Sequence, residues 1–469
     1  FKNLIGKKMK PITVISLLLI GQITFGQNNV HKIDSIMTSC FSQGNFNGNV
    51  LIFEKDQVIY KKSFGFSNES TKEKLNENSI FELASVSKQF TATAIVLLKE
   101  KGKLSYEDEI SKYIPELSDY SKITIRNLLT HTSGLPDYME IMDSTFDKNK
   151  IATNKDIIST FSKLKPKTLF EPNTKWEYSN TGYALLASII EKVSGMTYGD
   201  YLNKAIFKPL KMKNTSVYRR RYEPRIIPNY AYGYVYSDSL KKYVLPDELD
   251  ELKMVIWLDG IVGDGTVNST VVDLLKWDRA LRSNKFISKE SKDEIFTSAE
   301  INDKTKTNYG FGWVIEDNGV YGNIVSHTGG WPGYMTLIER HLQNDKTIIV
   351  LMNYVHNTTN LPVAELRRAL YNIEPHKFIA LTNEETELYA GNYMNSSGRV
   401  IKLICENGVL FRPTDNGEKF ELKAISSTKF VIMNYYPEIF YEFILKGNKV
   451  EKLLMTQPEL KFSRELIRQ

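Results

Sequence analysis

A mixed α/β (α+β) fold is what the order of elements predicts: an antiparallel sheet flanked by helices, a helical block beside it, and a small all-β meander or barrel domain after it. Three observations carry this. Two apolar strands near the N-terminus, at residues 49–54 and 58–64, surround Lys55-Asp56-Gln57 and read as a hairpin. Helical patterns fill most of the stretch from 87 to 281, and short strands return between 309 and 353. From Leu388 onward almost every segment reads as strand. Strands from both ends of a helical block pair most simply into one sheet. At 469 residues the chain fits two or three domains.

Taken in order, residues 1–26 have the pattern of an export signal. Lys2, Lys7, Lys8 and Lys10 precede the apolar run from Ile12 to Ile20, which is too short to span a bilayer, and Thr24-Phe25-Gly26 makes a small-residue exit. Met9 is the candidate natural start. The expectation is an exported protein, periplasmic or extracellular, with no membrane span once the signal is removed. Residues 27–374 form the expected main domain, 375–384 a linker, and 385–469 the β domain. In the main domain, an amphipathic helix over 30–43 leads to the hairpin. Further helices are expected from about Ser87 to Lys101, from Ile123 to Leu129, from Tyr183 to Val193 and from Tyr198 to Phe207. Asn268-Ser269 is expected to cap another through Leu281. Residues 218–262, rich in Tyr, Pro and Asp without period, read as a long surface excursion. Strands follow at Tyr309–Glu316, Asn323–His327, Tyr334–Glu339 and Thr347–Asn353, then a helix from Leu361 to Tyr371. Six strands are expected between Val400 and Met455, and a last one at Leu460–Phe462.

Composition excludes several functions. The formal net charge is +6, but four of the lysines lie in the first 26 residues, so the remainder is near neutral and no nucleic acid partner is expected. Six histidines show no metal-ligand spacing, so no metal and no cofactor is expected. Cys40 and Cys405 rule out a disulfide framework and leave a single bridge open.

The chemistry concentrates at Phe81-Glu82-Leu83-Ala84-Ser85-Val86-Ser87-Lys88. Ser85 and Lys88 stand three apart where a nearly all-apolar helix begins, so they share a face. A serine hydroxyl becomes a good nucleophile when a neighbour takes its proton. Ser-x-x-Lys recurs at Ser162/Lys165, Ser239/Lys242 and Ser426/Lys429, but only the copy at Ser85 opens a buried-type helix. Two later stretches complete a site. Tyr178-Ser179-Asn180 precedes an apolar helix; Tyr178 is a candidate base and Asn180 a candidate amide donor to substrate. His327-Thr328-Gly329-Gly330 ends a strand, with His327 facing the site and glycines that let a ligand approach the backbone. The competing pair His131-Thr132-Ser133-Gly134 reads as a structural turn.

Together, Ser85-Val86-Ser87-Lys88, Tyr178-Ser179-Asn180 and His327-Thr328-Gly329 resemble the serine hydrolases related to class C β-lactamases and DD-peptidases of the penicillin-binding type. Leu128-Leu129-Thr130-His131-Thr132-Ser133-Gly134-Leu135-Pro136 and Tyr309-Gly310-Phe311-Gly312-Trp313 strengthen the likeness, which spans about residues 30–372. The resemblance implies a β-lactamase/transpeptidase-like fold. It also implies an acyl-enzyme on Ser85, with Lys88 favouring the phenolate and shuttling a proton and Tyr178 as base and then acid. Asn180 would bind the substrate amide, Thr328 and Gly329 would line the substrate, and the N–H groups of Ser85 and Gly330 would form the oxyanion hole. His327 stands where class C β-lactamases carry lysine, a permanent cation that helps bind a β-lactam carboxylate. The expectation is therefore an exported hydrolase of an amide or ester, foremost a D-amino-acid peptide, in the manner of a DD-carboxypeptidase or D-aminopeptidase. The alternatives are a carboxylesterase, a weak class C-like β-lactamase, or a non-catalytic penicillin-binding or interaction protein.

Overall fold

The computed structural model describes residues 29–356, 359–395, 398–414, 417–433, 435 and 437–469. The export segment expected at 1–26 lies outside them. The chain divides into two compact units. One holds Gly44–Leu361 with Glu459–Lys461, and the other holds the remaining described residues. The second holds the helix over 29–42 and the helix Val363–Leu370.

The first unit is built on a six-stranded antiparallel sheet. Its strands are β1 (Gly48–Glu54), β2 (Gln57–Phe64), β3 (Val314–Asn318), β4 (Gly322–Trp331), β5 (Tyr334–His341) and β6 (Lys346–Met352), in the order β3-β4-β5-β6-β1-β2. β1 is buried on both faces from Gly48 to Phe53 and pairs Leu51 with Ile349 of β6, so the N-terminal hairpin does join strands from beyond the helical block. Its turn is shorter than expected. Gln57 already pairs with Glu54, and Lys55 and Asp56 turn the chain with φ of 46° and 69°, the twist a two-residue hairpin needs.

The helical block centres on α1 (Lys88–Glu100), buried from Lys88 to Leu98 and packed on α2 (Asn180–Ser194). α1 has no solvent face over that span, as its near-continuous apolar sequence requires. Several helices are not expected from the sequence, Tyr138–Thr145, Asn154–Leu164 and Lys289–Ile295 among them. The sequence also misplaces a cap. Val267–Ser269 is a strand paired with Phe81–Glu82 and Ser216–Val217, and Thr270 caps the helix Val271–Arg282 by accepting from the Asp273 N–H at 3.1 Å. The segment 218–262 is not a surface excursion throughout. Val255, Trp257, Leu258 and Ile261 are buried, and the elements of this segment, three or four residues each, are too short to print a period on the sequence. The strand expected at Tyr309–Glu316 begins only at Val314, because Gly310 to Trp313 turn behind α1. Gly312 has φ +76° there, and a Cβ on it would lie 2.8 Å from the Lys88 carbonyl oxygen.

In the second unit a closed eight-stranded antiparallel barrel runs from Gly391–Met394 to Phe462–Arg468, which pair to close it. Tyr393, Leu403, Leu410, Phe443 and Leu453 are among the residues that fill its core. The first strand was not resolved as a separate segment in the sequence, and the last lies beyond the Leu460–Phe462 expected for it. Cys40 and Cys405 are both free thiols. Among the described residues no helix is long and apolar enough to cross a membrane.

Candidate active site

Strand Phe81–Glu82 delivers the chain to the site. Leu83 still bonds the small sheet, its N–H donating to the Val267 carbonyl at 2.9 Å. Ala84 then takes φ +48°, and a tight turn over Ala84–Ser87 sets Ser85 ahead of α1. Two neighbours fix that turn. Thr336 on β5 donates to the Leu83 carbonyl at 2.7 Å, and Ser87 Oγ accepts from the Val267 N–H at 3.0 Å. Gly329 on β4 is glycine for a steric reason: a Cβ would stand 2.2 Å from the Leu83 carbonyl oxygen. The glycines are thus inside the strand, which continues to Trp331, and Gly329 lets the sheet press against the turn.

Ser85 borders a cavity of 530 Å³, whose wall includes Asn180, Tyr138, Asp264 and Gly330. Lys88 lies beneath, fully buried. Its Nζ donates to Ser85 Oγ at 3.2 Å, to Asn180 Oδ1 at 2.9 Å and to the Asp264 carbonyl oxygen at 2.9 Å. An ammonium has three hydrogens and no lone pair, so these three acceptors saturate it. Asn180 is oriented by Asp137, whose Oδ2 accepts from both its backbone N–H and its Nδ2, each at 2.9 Å. Carboxylate on one side and ammonium on the other fix which end of the amide faces which, and one Nδ2 hydrogen stays available to a ligand. Asp137 also caps the helix Tyr138–Thr145, accepting from the Met139 N–H. The Asp264 carboxyl accepts from the Tyr138 hydroxyl at 2.8 Å; burial raises its pKa, and Lys88 opposes the rise.

Tyr178 stands over Lys88, with Nζ 4.9 Å from its ring centroid, and is 36% exposed. Its ring lies 4.4 Å from that of His131. His131 Nδ1 accepts from the Ser179 N–H at 3.1 Å, so the proton sits on Nε2. Burial, then the Lys88 charge, hold this imidazole well below its ordinary pKa. The stretch expected to be a structural turn is one, with His131 at φ +59°, and it also props the Tyr178 loop. His327 is buried and does not border the cavity. It backs Tyr178, with ring centroids 6.2 Å apart. Its Nε2 accepts from the Tyr309 hydroxyl at 2.9 Å and its Nδ1 donates to the Thr328 carbonyl at 2.6 Å. Burial, then Lys88, lower its pKa to about 4, so it is neutral at pH 7. Thr328 and Gly330 lie on the exposed side of β4, and Gly330 has open space where a Cβ would point.

The structure therefore brings Ser85, Lys88, Tyr178 and Asn180 together and seats His327 behind them. Asp137, Asp264, Tyr138 and Tyr309 were missed in the sequence. Asp137 directly follows the Leu128–Pro136 phrase, and its place between Pro136 and an apolar helix start was a capping signal.

A tight turn carrying Ser85 at the mouth of a buried helix, between an antiparallel sheet and a helical block, is the frame of the site. The chain belongs to the Beta-lactamase family, whose pattern matches residues 31–373. It is 40% identical over 445 residues to "Penicillin-binding protein 4*" of Bacillus subtilis (strain 168), covering 92% of this chain and 97% of that one. In fold it is similar to the octameric penicillin-binding protein homologue from Pyrococcus abyssi, with TM-score 0.63, 24% identity, and coverage of 93% of this chain and 99% of that chain. It is also similar in fold to D-amino acid amidase from Ochrobactrum anthropi SV3, with TM-score 0.60, 24% identity, and coverage of 73% and 99%.

Proposed function

We propose that this protein is an exported serine hydrolase that cleaves an amide or ester through an acyl-enzyme on Ser85, foremost in a peptide or amide of a D-amino acid. The observation that carries the reading is the saturated Lys88 ammonium, buried and donating to Ser85 Oγ at 3.2 Å. With no lone pair of its own, Lys88 is not the base. It orients the Ser85 oxygen, and Tyr178, the phenol standing above the same ammonium, is the group that receives the serine hydrogen. Tyr178 is the base that takes that proton as Oγ bonds to the substrate carbonyl carbon. The bond to the leaving amine or alcohol breaks as Tyr178 returns the proton to it. Water then attacks the Ser85 ester, giving a proton to Tyr178, which passes it to Ser85 Oγ as the ester bond breaks and the acid product leaves. The N–H groups of Ser85 and Gly330 stabilise the oxyanion, Asn180 holds the substrate amide through its remaining Nδ2 hydrogen, and Thr328 and Gly329 line the substrate on β4. The D-amino acid amidase similarity in fold and the penicillin-binding relative support the substrate class.

His327 is neutral at pH 7, and among the described residues bordering the cavity none is Lys, Arg or His. A β-lactam carboxylate finds no fixed cation there, which argues against an efficient β-lactamase. The test is mass spectrometry of the intact protein after incubation with a fluorophosphonate and with D-alaninamide or p-nitrophenyl ester substrates. The reading expects one adduct, on Ser85, and turnover lost in Ser85→Ala. A folded protein without an adduct on Ser85 overturns it.

A further inference from the structure

Glu82 is three residues before the nucleophile, as Lys88 is three after it. Strand alternation sends Phe81 into the apolar core and Glu82 to the cavity, which its side chain borders. It is 8% exposed, and no donor hydrogen-bonds or ion-pairs with its carboxyl among the described residues. A buried carboxyl without a donor is costly, so its surroundings matter.

The charged groups facing it are Arg220, Arg221, Asp247 and Asp259, with the phenols of Tyr230 and Tyr334. The two guanidiniums are already committed. Arg221 bonds Asp247 through Nε at 2.8 Å and an Nη at 2.7 Å, and reaches Asp259 at 3.3 Å; Arg220 bonds Asp247 at 2.5 Å. Asp259 is further held by the N–H groups of Arg221 and Tyr222 at 2.6 and 2.9 Å. Two cations thus face two aspartates that bind them, and Glu82 is the excess acid. Burial, then Asp259, raise its pKa to about 7. Asp259 and Asp264 border the same cavity, and no basic residue among the described ones does.

We propose that Glu82 is a cation subsite of the Ser85 cavity, binding an ammonium group carried by the substrate. The subsite rests on the reading of Ser85 as nucleophile of that cavity. It selects ammonium-bearing amides and esters over carboxylate-bearing ones. The ammonium supplies the donor and the charge that the protein withholds from Glu82. Two positions fit this chemistry: an α-ammonium next to the scissile carbonyl, or a side-chain ammonium farther out.

The test compares kcat/KM of full-length protein for D-alanine p-nitroanilide, N-acetyl-D-alanine p-nitroanilide and Nα-acetyl-D-lysine p-nitroanilide. One of the two ammonium substrates should exceed the neutral one, and which does so locates the cation. In Glu82→Gln the ratio of ammonium to neutral substrate should fall about ten- to a hundredfold, mainly through KM. A ratio unchanged by the substitution, or no preference in the parent, overturns the subsite. In the parent, KM for a side-chain ammonium substrate should rise as pH falls below about 7, where the Glu82 carboxylate takes a proton. If no substrate turns over, the function reading fails separately, and binding still decides. Calorimetry on Ser85→Ala should then detect D-alaninamide or Nα-acetyl-D-lysinamide binding that Ser85→Ala/Glu82→Gln loses and that N-acetyl-D-alaninamide never shows. Equal binding in both proteins overturns the subsite.

Discussion

Lys88 and Glu82 flank Ser85 at equal sequence distance, both buried and opposite in sign. Their surroundings differ. Lys88 has one acceptor for each ammonium hydrogen, from Ser85, Asn180 and Asp264. Glu82 has no donor, and the cations near it are already bound by Asp247 and Asp259. A buried charge survives either because the fold satisfies it completely or because it can give the charge up. The saturated group is fixed and suits the orientation of a reacting atom. The unsatisfied one can change protonation or accept a ligand.

The comparison can be broken first at Lys88. Lys88→Met removes the donor from three acceptors, and the rate of fluorophosphonate adduct formation on Ser85 should fall about 10³-fold or more. A loss under tenfold would mean that saturation is structural only. Next is Tyr178→Phe, which should cut turnover about 10²- to 10³-fold. Its thermal midpoint should stay close to the parent's, since the ring is 36% exposed and its hydroxyl makes no hydrogen bond within the described structure. Unchanged turnover would return the role of base to another group.

Smaller effects sharpen the other side. Glu82 has its pKa raised from 4.5 to about 7 by the fold, so the folded state holds its proton more tightly than the unfolded chain does. Its penalty is absent below the unfolded value, grows between about 4.5 and 7, and is full above that. Glu82→Gln should therefore stabilise the protein by about 2–3 kcal/mol at pH 8 and by little at pH 4, read from urea unfolding at both. Equal gains at the two pH values would mean that the carboxyl is not the source. Last, Asp137→Ala should lower kcat/KM about tenfold by freeing the Asn180 amide, with adduct formation on Ser85 slowed less than by Lys88→Met. An unchanged kcat/KM would show that Lys88 alone orients Asn180.

Ser85, Lys88, Tyr178 and Asn180 were legible because short motifs carried them and because the helix behind Lys88 is apolar throughout. The sheet was legible because β1 and β6 are continuous buried runs. What the sequence hid depends on contacts between distant segments. Nothing local in Asp264 shows that its carbonyl oxygen would meet Lys88, or that its carboxyl would meet Tyr138. His131 read as a turn because its φ is that of a turn; its packing on Tyr178 follows only from where the loop falls. Glu82 was in plain view inside the motif, but its isolation follows from Arg220 and Arg221 being bound elsewhere.

The contact between Lys88 and Ser85 is also a clock. It exists while Oγ is a hydroxyl oxygen, a good acceptor. Once Oγ is the bridging oxygen of an ester, its electrons are shared with the carbonyl and its hold on the Lys88 hydrogen weakens. On the proposed path, acylation would release one of the three ties on the ammonium. The proposed acyl-enzyme would thus hold its lysine by two ties where the free serine gives three.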